Sequence, residues 1–164
     1  MKLYIKQRVF SLKDRFEIYS ENEEVLFRCE GDFFTLGKKR HLFDNVGREI
    51  AYIEQKVLSF LPRYTIYIPG EEAAVVVKNF TFSHQSYDIE KYGWSVEGDF
   101  MAHEYDIFDE FDKTIATVHK RWLAWGDTYE IDIENRDNLT RVLATVLVID
   151  ACIDNARAAA SSAH

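Results

Sequence analysis

The sequence predicts a mostly β protein: a closed antiparallel barrel of about twelve short strands enclosing one hydrophobic C-terminal α-helix. Three observations lead there. The 164 residues are 15% aromatic but hold only seven Gly and two Pro, a composition suited to half-buried strands, where flat rings pack well on a pleated surface. A strand-like phrase recurs along the chain. Past Ile133 the pattern changes abruptly from strand alternation to a continuous apolar helix signal.

The repeat supplies the strands. Gln7-Arg8-Val9-Phe10-Ser11-Leu12, then Arg15-Phe16-Glu17-Ile18-Tyr19, returns without a gap as Gln55-Lys56-Val57-Leu58-Ser59-Phe60, then Arg63-Tyr64-Thr65-Ile66-Tyr67. A third copy reads Lys120-Arg121-Trp122-Leu123-Ala124-Trp125, then Thr128-Tyr129-Glu130-Ile131-Asp132. Intervening pieces recur as well: Glu30-Gly31-Asp32-Phe33 as Glu97-Gly98-Asp99-Phe100, Leu42-Phe43-Asp44 as Ile107-Phe108-Asp109, and Ile50-Ala51 as Ile115-Ala116. Within a copy, Tyr129, Ile131 and Ile133 alternate with Glu130, Asp132 and Glu134, the period of a strand with one wet face. Turn-forming residues at 20–23, 44–47, 69–70 and 109–113 separate the strands. So many antiparallel strands must stack or close, because open edges invite aggregation.

The helix supplies the reason to close. Arg136-Asp137-Asn138 opens it, and Leu139, Val142, Leu143, Val146, Leu147, Val148, Ile149 and Cys152 cover nearly its whole circumference. A helix apolar all round must be enclosed by protein or lipid. Its apolar stretch, interrupted by Asp150, is well short of the roughly 20 residues of a membrane span, so a barrel lumen is the expected enclosure and no transmembrane segment is expected. One domain over 1–155 is expected, with its helix near 137–155 and an Ala-rich tail, 156–164, that frays.

Compartment and chemistry are read from what the residues offer. The start, MKLYIKQRVF, has no continuous apolar run of signal-peptide type. Cys29 and Cys152 are far apart and match no zinc or redox spacing, as expected of buried thiols in the cytoplasm. There is no GxSxG, no phosphate-binding glycine loop and no HExxH, since His103-Glu104 lacks a second His. No catalytic residue, cofactor or metal is therefore expected. The acidic run Asp106, Asp109, Glu110 and Asp112 lacks the Gly and closing Glu of an EF-hand and is expected to be a solvated hairpin tip. Trp122 and Trp125 replace Val57 and Phe60 in the repeat and are expected in the core.

Charge separates along the sequence. The net charge is −8, which disfavours nucleic acid as a partner. Residues 1–63 carry 12 Lys and Arg against 10 Asp and Glu, whereas 64–164 carry 8 against 18. Lys38, Lys39 and Arg40 follow Gly37 in an expected hairpin tip, and Lys13, Arg15 and Arg63 cluster in the repeat loops. These six are the candidate contacts for anionic lipid, each basic residue contributing about 1 kcal/mol near an anionic bilayer.

The phrases KQRVFSLKDRFEIY, FFTLGKKRHLFD, IEQKVLSFLPRYTIY, WSVEGDF and KRWLAWGDTYEIDI, with the closing helix, resemble the bacterial branch of the LURP-one-related (YxjI-type) family over nearly the whole chain. The resemblance implies a tubby-like fold, shared with tubby domains and phospholipid scramblases: twelve strands around a central C-terminal helix. Tubby domains bind phosphoinositide headgroups, and the resemblance makes anionic phospholipid or phosphoinositide headgroups at the inner membrane surface the first expected partner of a non-catalytic binding or scaffold module. A protein partner docking on the acidic half of the chain is the alternative.

Overall fold

The computed structural model describes residues 1–6, 15–32, 37–61, 63–80, 85–123 and 126–163. Its strands are β1 (Lys2–Lys6), β2 (Arg15–Tyr19), β3 (Val25–Gly31), β4 (Lys39–Asp44), β5 (Glu49–Gln55), β6 (Arg63–Tyr67), β7 (Ala74–Phe80), β8 (Gln85–Ile89), β9 (Trp94–Asp99), β10 (Glu104–Phe108), β11 (Thr114–Leu123) and β12 (Gly126–Ile133), followed by α1 (Leu139–Ser162). Every strand pairs antiparallel with its neighbour in sequence, and β1 closes the ring on β12 with Leu3 opposite Ile131 and Ile5 opposite Tyr129. No edge is left open.

Alternation decides what faces inward. Leu3 and Ile5 of β1, Ile66 of β6, Val76 of β7, Ile107 of β10 and Ile131 and Ile133 of β12 are buried at every second position, as the two-residue period requires. They meet α1, which is buried from Val142 to Ile153 except at Asp150. Burial on all sides explains why the helix shows no amphipathic stripe. The chain turns from β12 into α1 through a short 3-10 turn, Arg136–Asn138, whose first free amide is capped: Asn135 Oδ1 accepts from the Asp137 N–H at 3.0 Å.

The sequence repeat is visible as two six-stranded halves. Leu42-Phe43-Asp44 and Ile107-Phe108-Asp109 each lead into a bulged pairing, β4 with β5 and β10 with β11. The turns that follow share one geometry: Asp44 Oδ1 accepts from the N–H groups of Val46 and Arg48, and Asp109 Oδ1 from those of Phe111 and Lys113. An Asp in that place satisfies turn amides from its own side chain. Asp109, Glu110 and Asp112 of the acidic run thereby stand in a hairpin turn with Asp109 committed to the backbone, whereas Asp106 lies within β10.

The helix departs from expectation at its end. The segment expected to fray, 156–164, continues α1 to Ser162 as exposed helix. Alanine has the highest helix propensity, and extending a helix already nucleated inside the barrel needs no new nucleus.

Enclosure makes a firm prediction about the helix. Leu143 is fully buried one turn before Leu147, whose carbonyl accepts from Arg40, so an acid at 143 meets an apolar wall without that cation beside it. Leu143→Asp is expected to cost about 4 kcal/mol or more, from lost packing and a buried carboxylate. Urea denaturation checks it: a cooperative transition within about 1 kcal/mol of the parent's would contradict the enclosed helix.

Candidate functional site

Basic residues at the end of the barrel where β3 gives way to β4 are placed very differently from one another. In β4, Lys39, His41 and Phe43 face outward, while Arg40 and Leu42 face the lumen. Arg40 is only 1% exposed. Its Nη1 donates to the Leu147 carbonyl at 2.9 Å and to Asp150 at 2.8 Å, and its Nη2 donates to Asp154 at 2.9 Å. Two aspartates one turn apart thus hold one guanidinium, whose planar fork suits this geometry. Arg40 was expected at a solvated hairpin tip as a lipid contact; the structure puts it inside the barrel as a strut to the helix, because strand alternation gives it the same face as Leu42.

Its neighbours are engaged at the surface. Lys38 Nζ lies 3.3 Å from Asp154, and Lys39 Nζ lies 3.3 Å from Glu54, whose hydrogen bond holds the ammonium pKa above its ordinary value. Arg15 pairs with Glu30 at 3.3 Å. Arg63, exposed at the start of β6, makes no ion pair among the described residues. Lys13 lies outside the described residues, as do the side chains of Trp122 and Trp125. The five expected contacts that are described therefore form no single basic patch.

Topology sorts the connections into two ends, since an up-and-down barrel puts alternate connections at opposite rims. The connections β1–β2, β3–β4, β5–β6, β7–β8, β9–β10 and β11–β12 share one end; the other six, including β12–α1, share the opposite end. Among the described residues, the first set carries six large apolar residues, two Lys and one Asp; the second carries four large apolar residues, four Lys or Arg and eleven Asp or Glu. One end is apolar and weakly basic, the other strongly acidic. The helix runs between them: Arg141, on its first turn, holds Glu71 of the acidic end at 3.0 Å, and Asn155, near its last turns, donates to the Tyr64 hydroxyl at the apolar end at 2.9 Å.

The apolar end exposes its side chains. Of the eight large apolar residues that stand exposed among the described ones, Val57, Leu58, Phe60, Phe80 and Met101 lie there. Leu58 is 94% exposed and Phe60 is fully exposed. Both sit in the β5–β6 loop, closed at its base by a backbone bond from Lys56 N to the Arg63 carbonyl at 2.9 Å. Gly37, at φ +87°, passes so close to this base that a Cβ there would come within 2.7 Å of Val57 Cγ2 and 3.0 Å of the Gln55 carbonyl. Only glycine adopts that backbone and leaves that space.

A family model described as LURP-one-related matches residues 1–150. The chain belongs to the LURP-one-related family. It is 36% identical over 155 residues to the uncharacterized protein YxjI of Bacillus subtilis (strain 168), covering 94% of this chain and 95% of that protein. Its fold is similar to the X-ray structure of a protein from Arabidopsis thaliana, with a TM-score of 0.64, 17% identity, and coverage of 95% of this chain and 90% of that one. The tubby-like architecture implied by the sequence resemblance is the one present: a closed twelve-stranded barrel with a C-terminal helix. None of the helices described is long and apolar enough to cross a membrane.

In this LURP-one-related barrel the nucleophilic and titratable groups inside the lumen are quiet. Cys29 and Cys152 are both buried and not joined in a disulfide, and burial pushes Cys152 up to about 11, so it is a thiol at neutral pH. Burial likewise raises the Tyr64, Tyr87 and Tyr105 phenols. His103 stands apart from them as a buried imidazole. It stacks on Tyr129 with ring centroids 4.0 Å apart, and its Nε2 is buried without a partner among the described residues. Burial lowers its pKa below the ordinary 6.5, against the opposing pull of Asp150 and Asp154 and with the help of Arg157 and Lys120.

The folded protein thus binds this proton less readily than the unfolded chain, so the contribution of His103 to stability is full above about pH 6.5 and is lost as pH falls below it. His103→Asn, which tolerates the left-handed φ of +56° found here, removes that component. Chemical denaturation at about pH 7 and about pH 5 is expected to show a smaller stability loss for the variant than for the parent; equal losses would contradict the assignment.

Proposed function

We propose that this LURP-one-related barrel is a non-catalytic binding module that seats on anionic phospholipid surfaces through its apolar, weakly basic end, acting from the cytoplasm as a peripheral protein of the inner membrane. The observation that carries the reading is the contrast between the two ends of the barrel. An anionic bilayer attracts the end that combines exposed Leu58, Phe60, Phe80 and Met101 with Lys56 and Arg63, and it repels the end with eleven carboxylates. Orientation then follows from charge and hydrophobicity together. The cations carrying this reading are not the Lys38-Lys39-Arg40 run. Lys38 and Lys39 face carboxylates and Arg40 is internal, whereas Lys56 and Arg63 have no ion pair among the described residues.

A second reading is favoured by one feature on the barrel wall. A groove of about 580 Å³ between β8 and β10 is lined by Glu97, Asp99 and Asp106 together with Phe100 and Phe108, a surface suited to a cationic, partly apolar protein segment.

Co-sedimentation with phosphatidylcholine vesicles, with and without phosphatidylserine or a phosphoinositide, over a salt series separates the two. Binding is expected to need anionic lipid and to weaken with salt. Neutralising both cations in Lys56→Gln/Arg63→Gln is expected to reduce it roughly thirtyfold, at about 1 kcal/mol per charge. Lys39→Gln, already paired, is expected to change it much less. Absence of binding to every vesicle at low salt would overturn the membrane reading and leave the acidic groove as the place to look.

A further inference from the structure

The β5–β6 loop has a construction that the charge contrast alone does not require. Its base is closed by the Lys56–Arg63 backbone bond, which sets two exposed basic side chains at the neck of the loop, one just past the end of β5 and one at the start of β6. Beyond the neck come Val57, Leu58, Ser59, Phe60 and Leu61, with no charged residue among them. Leu58 and Phe60 bury essentially nothing in the protein, and Val57 remains half exposed. An isolated exposed leucine is ordinary on a protein surface, but consecutive apolar residues at one projecting tip are a mark of an interaction surface. The neck is held in place: Gln55 N donates to the Lys38 carbonyl at 2.8 Å, Lys38 N donates to Gln55 Oε1 at 3.1 Å, and Gly37 packs against Val57. The tip is therefore presented on a fixed base, so little ordering of that base remains to be done on binding.

We infer that the β5–β6 loop is a membrane-insertion tip: Leu58 and Phe60 enter the boundary between headgroups and acyl chains of an anionic bilayer while Lys56 and Arg63 form a collar at the level of the phosphates. This rests on the membrane reading above and adds to it a depth, a set of residues and a second energetic component. The occupant is chosen by chemistry. An apolar tip with a cationic collar matches the order of layers met on entering an anionic bilayer, phosphate first and hydrocarbon beneath. Phe80, with Lys78 lying 4.7 Å over its ring, stands exposed at the same end, as does Met101. The three exposed large apolar residues described outside this end do not share this setting: Val46 and Phe111 each sit singly in turns built on Asp44 and Asp109, and Tyr67, at the end of β6, stacks on Tyr52.

Two energetic components predict two separable behaviours. The collar gives salt-sensitive attraction, whereas the inserted tip gives attraction that survives salt. The test labels the full chain at Ser59→Cys with an environment-sensitive nitrobenzoxadiazole, and at Asn45→Cys on the acidic end as the control, because both native cysteines are buried. Phosphatidylcholine–phosphatidylserine vesicles carry bromines at either shallow or deep acyl positions. The label at 59 is expected to shift its emission to the blue and to be quenched by shallow bromines more than by deep ones, with no change at 45. In the unlabelled chain, Leu58→Ser and Phe60→Ser are each expected to weaken binding about tenfold, the scale of partly burying one large apolar side chain. The residual high-salt binding is expected to be lost when both are changed, and both positions are exposed enough that folding is unaffected. Salt-sensitive binding with neither a blue shift at 59 nor an effect of the serine variants would overturn insertion while leaving electrostatic attachment standing. Absence of binding overturns both. A dimer that is lost in Leu58→Ser/Phe60→Ser, seen by sedimentation without any vesicle binding, would assign the tip to a second copy of the chain and overturn insertion as well.

Discussion

Everything in this molecule follows from a helix that has no wet face. Residues 142–153 of α1 are buried on all sides except at Asp150, and outside a membrane a helix of that kind needs a continuous apolar sleeve. Twelve strands closed on themselves provide it, and closure removes the unpaired edges that would otherwise promote aggregation. Because the sleeve is antiparallel throughout, its connections must alternate between two ends. The two-ended character of the surface is thus a consequence of how the core is enclosed.

The Arg40 strut fixes the helix within the sleeve. Hydrophobic contact alone is nearly indifferent to sliding or rotating a uniformly apolar cylinder, whereas a buried guanidinium shared by Asp150, Asp154 and the Leu147 carbonyl accepts one axial position and one rotation. Such an ion pair is weak as a source of net stability but effective in specifying one arrangement. It also carries the helix to the apolar end, where Asn155 meets Tyr64 and Arg157 reaches the Met101 carbonyl at 3.5 Å. The helix and the connections of the apolar end consequently share one frame. At the acidic end the bidentate contact of Arg141 with Glu71 ties the first helical turn to the β6–β7 connection.

Much of this was legible in the residues. The alternation of Tyr129, Ile131 and Ile133, the phrase shared by β2 and β6, and the apolar run between Val142 and Ile149 are local signals, and local signals specify strands and a buried helix. The inward direction of Arg40 was legible too, from its place two residues before Leu42, but reading Lys38-Lys39-Arg40 as one basic run hid that alternation. The continuation of α1 past Asn155 was hidden because small residues without an apolar stripe carry no packing signal, although their helix propensity is high. The contrast between the two ends could not be read at all without the topology. Both halves of the chain contribute to both rims, so comparing residues 1–63 with 64–164 averages it away. Only the order of pairing shows that the segments around Leu58, Phe80 and Met101 stand side by side.

Two unlike ends make the barrel an oriented object, and orientation can be measured directly. A helix of 24 residues running from end to end is about 36 Å long, and its amide transition moments report its direction. Polarised attenuated-total-reflection infrared spectroscopy of the protein bound to supported anionic bilayers would read the helical amide I dichroism. An apolar end seated on the membrane predicts a helix axis near the bilayer normal. A helix axis lying in the membrane plane would mean that the barrel rests on its wall, contradicting the role assigned to its ends.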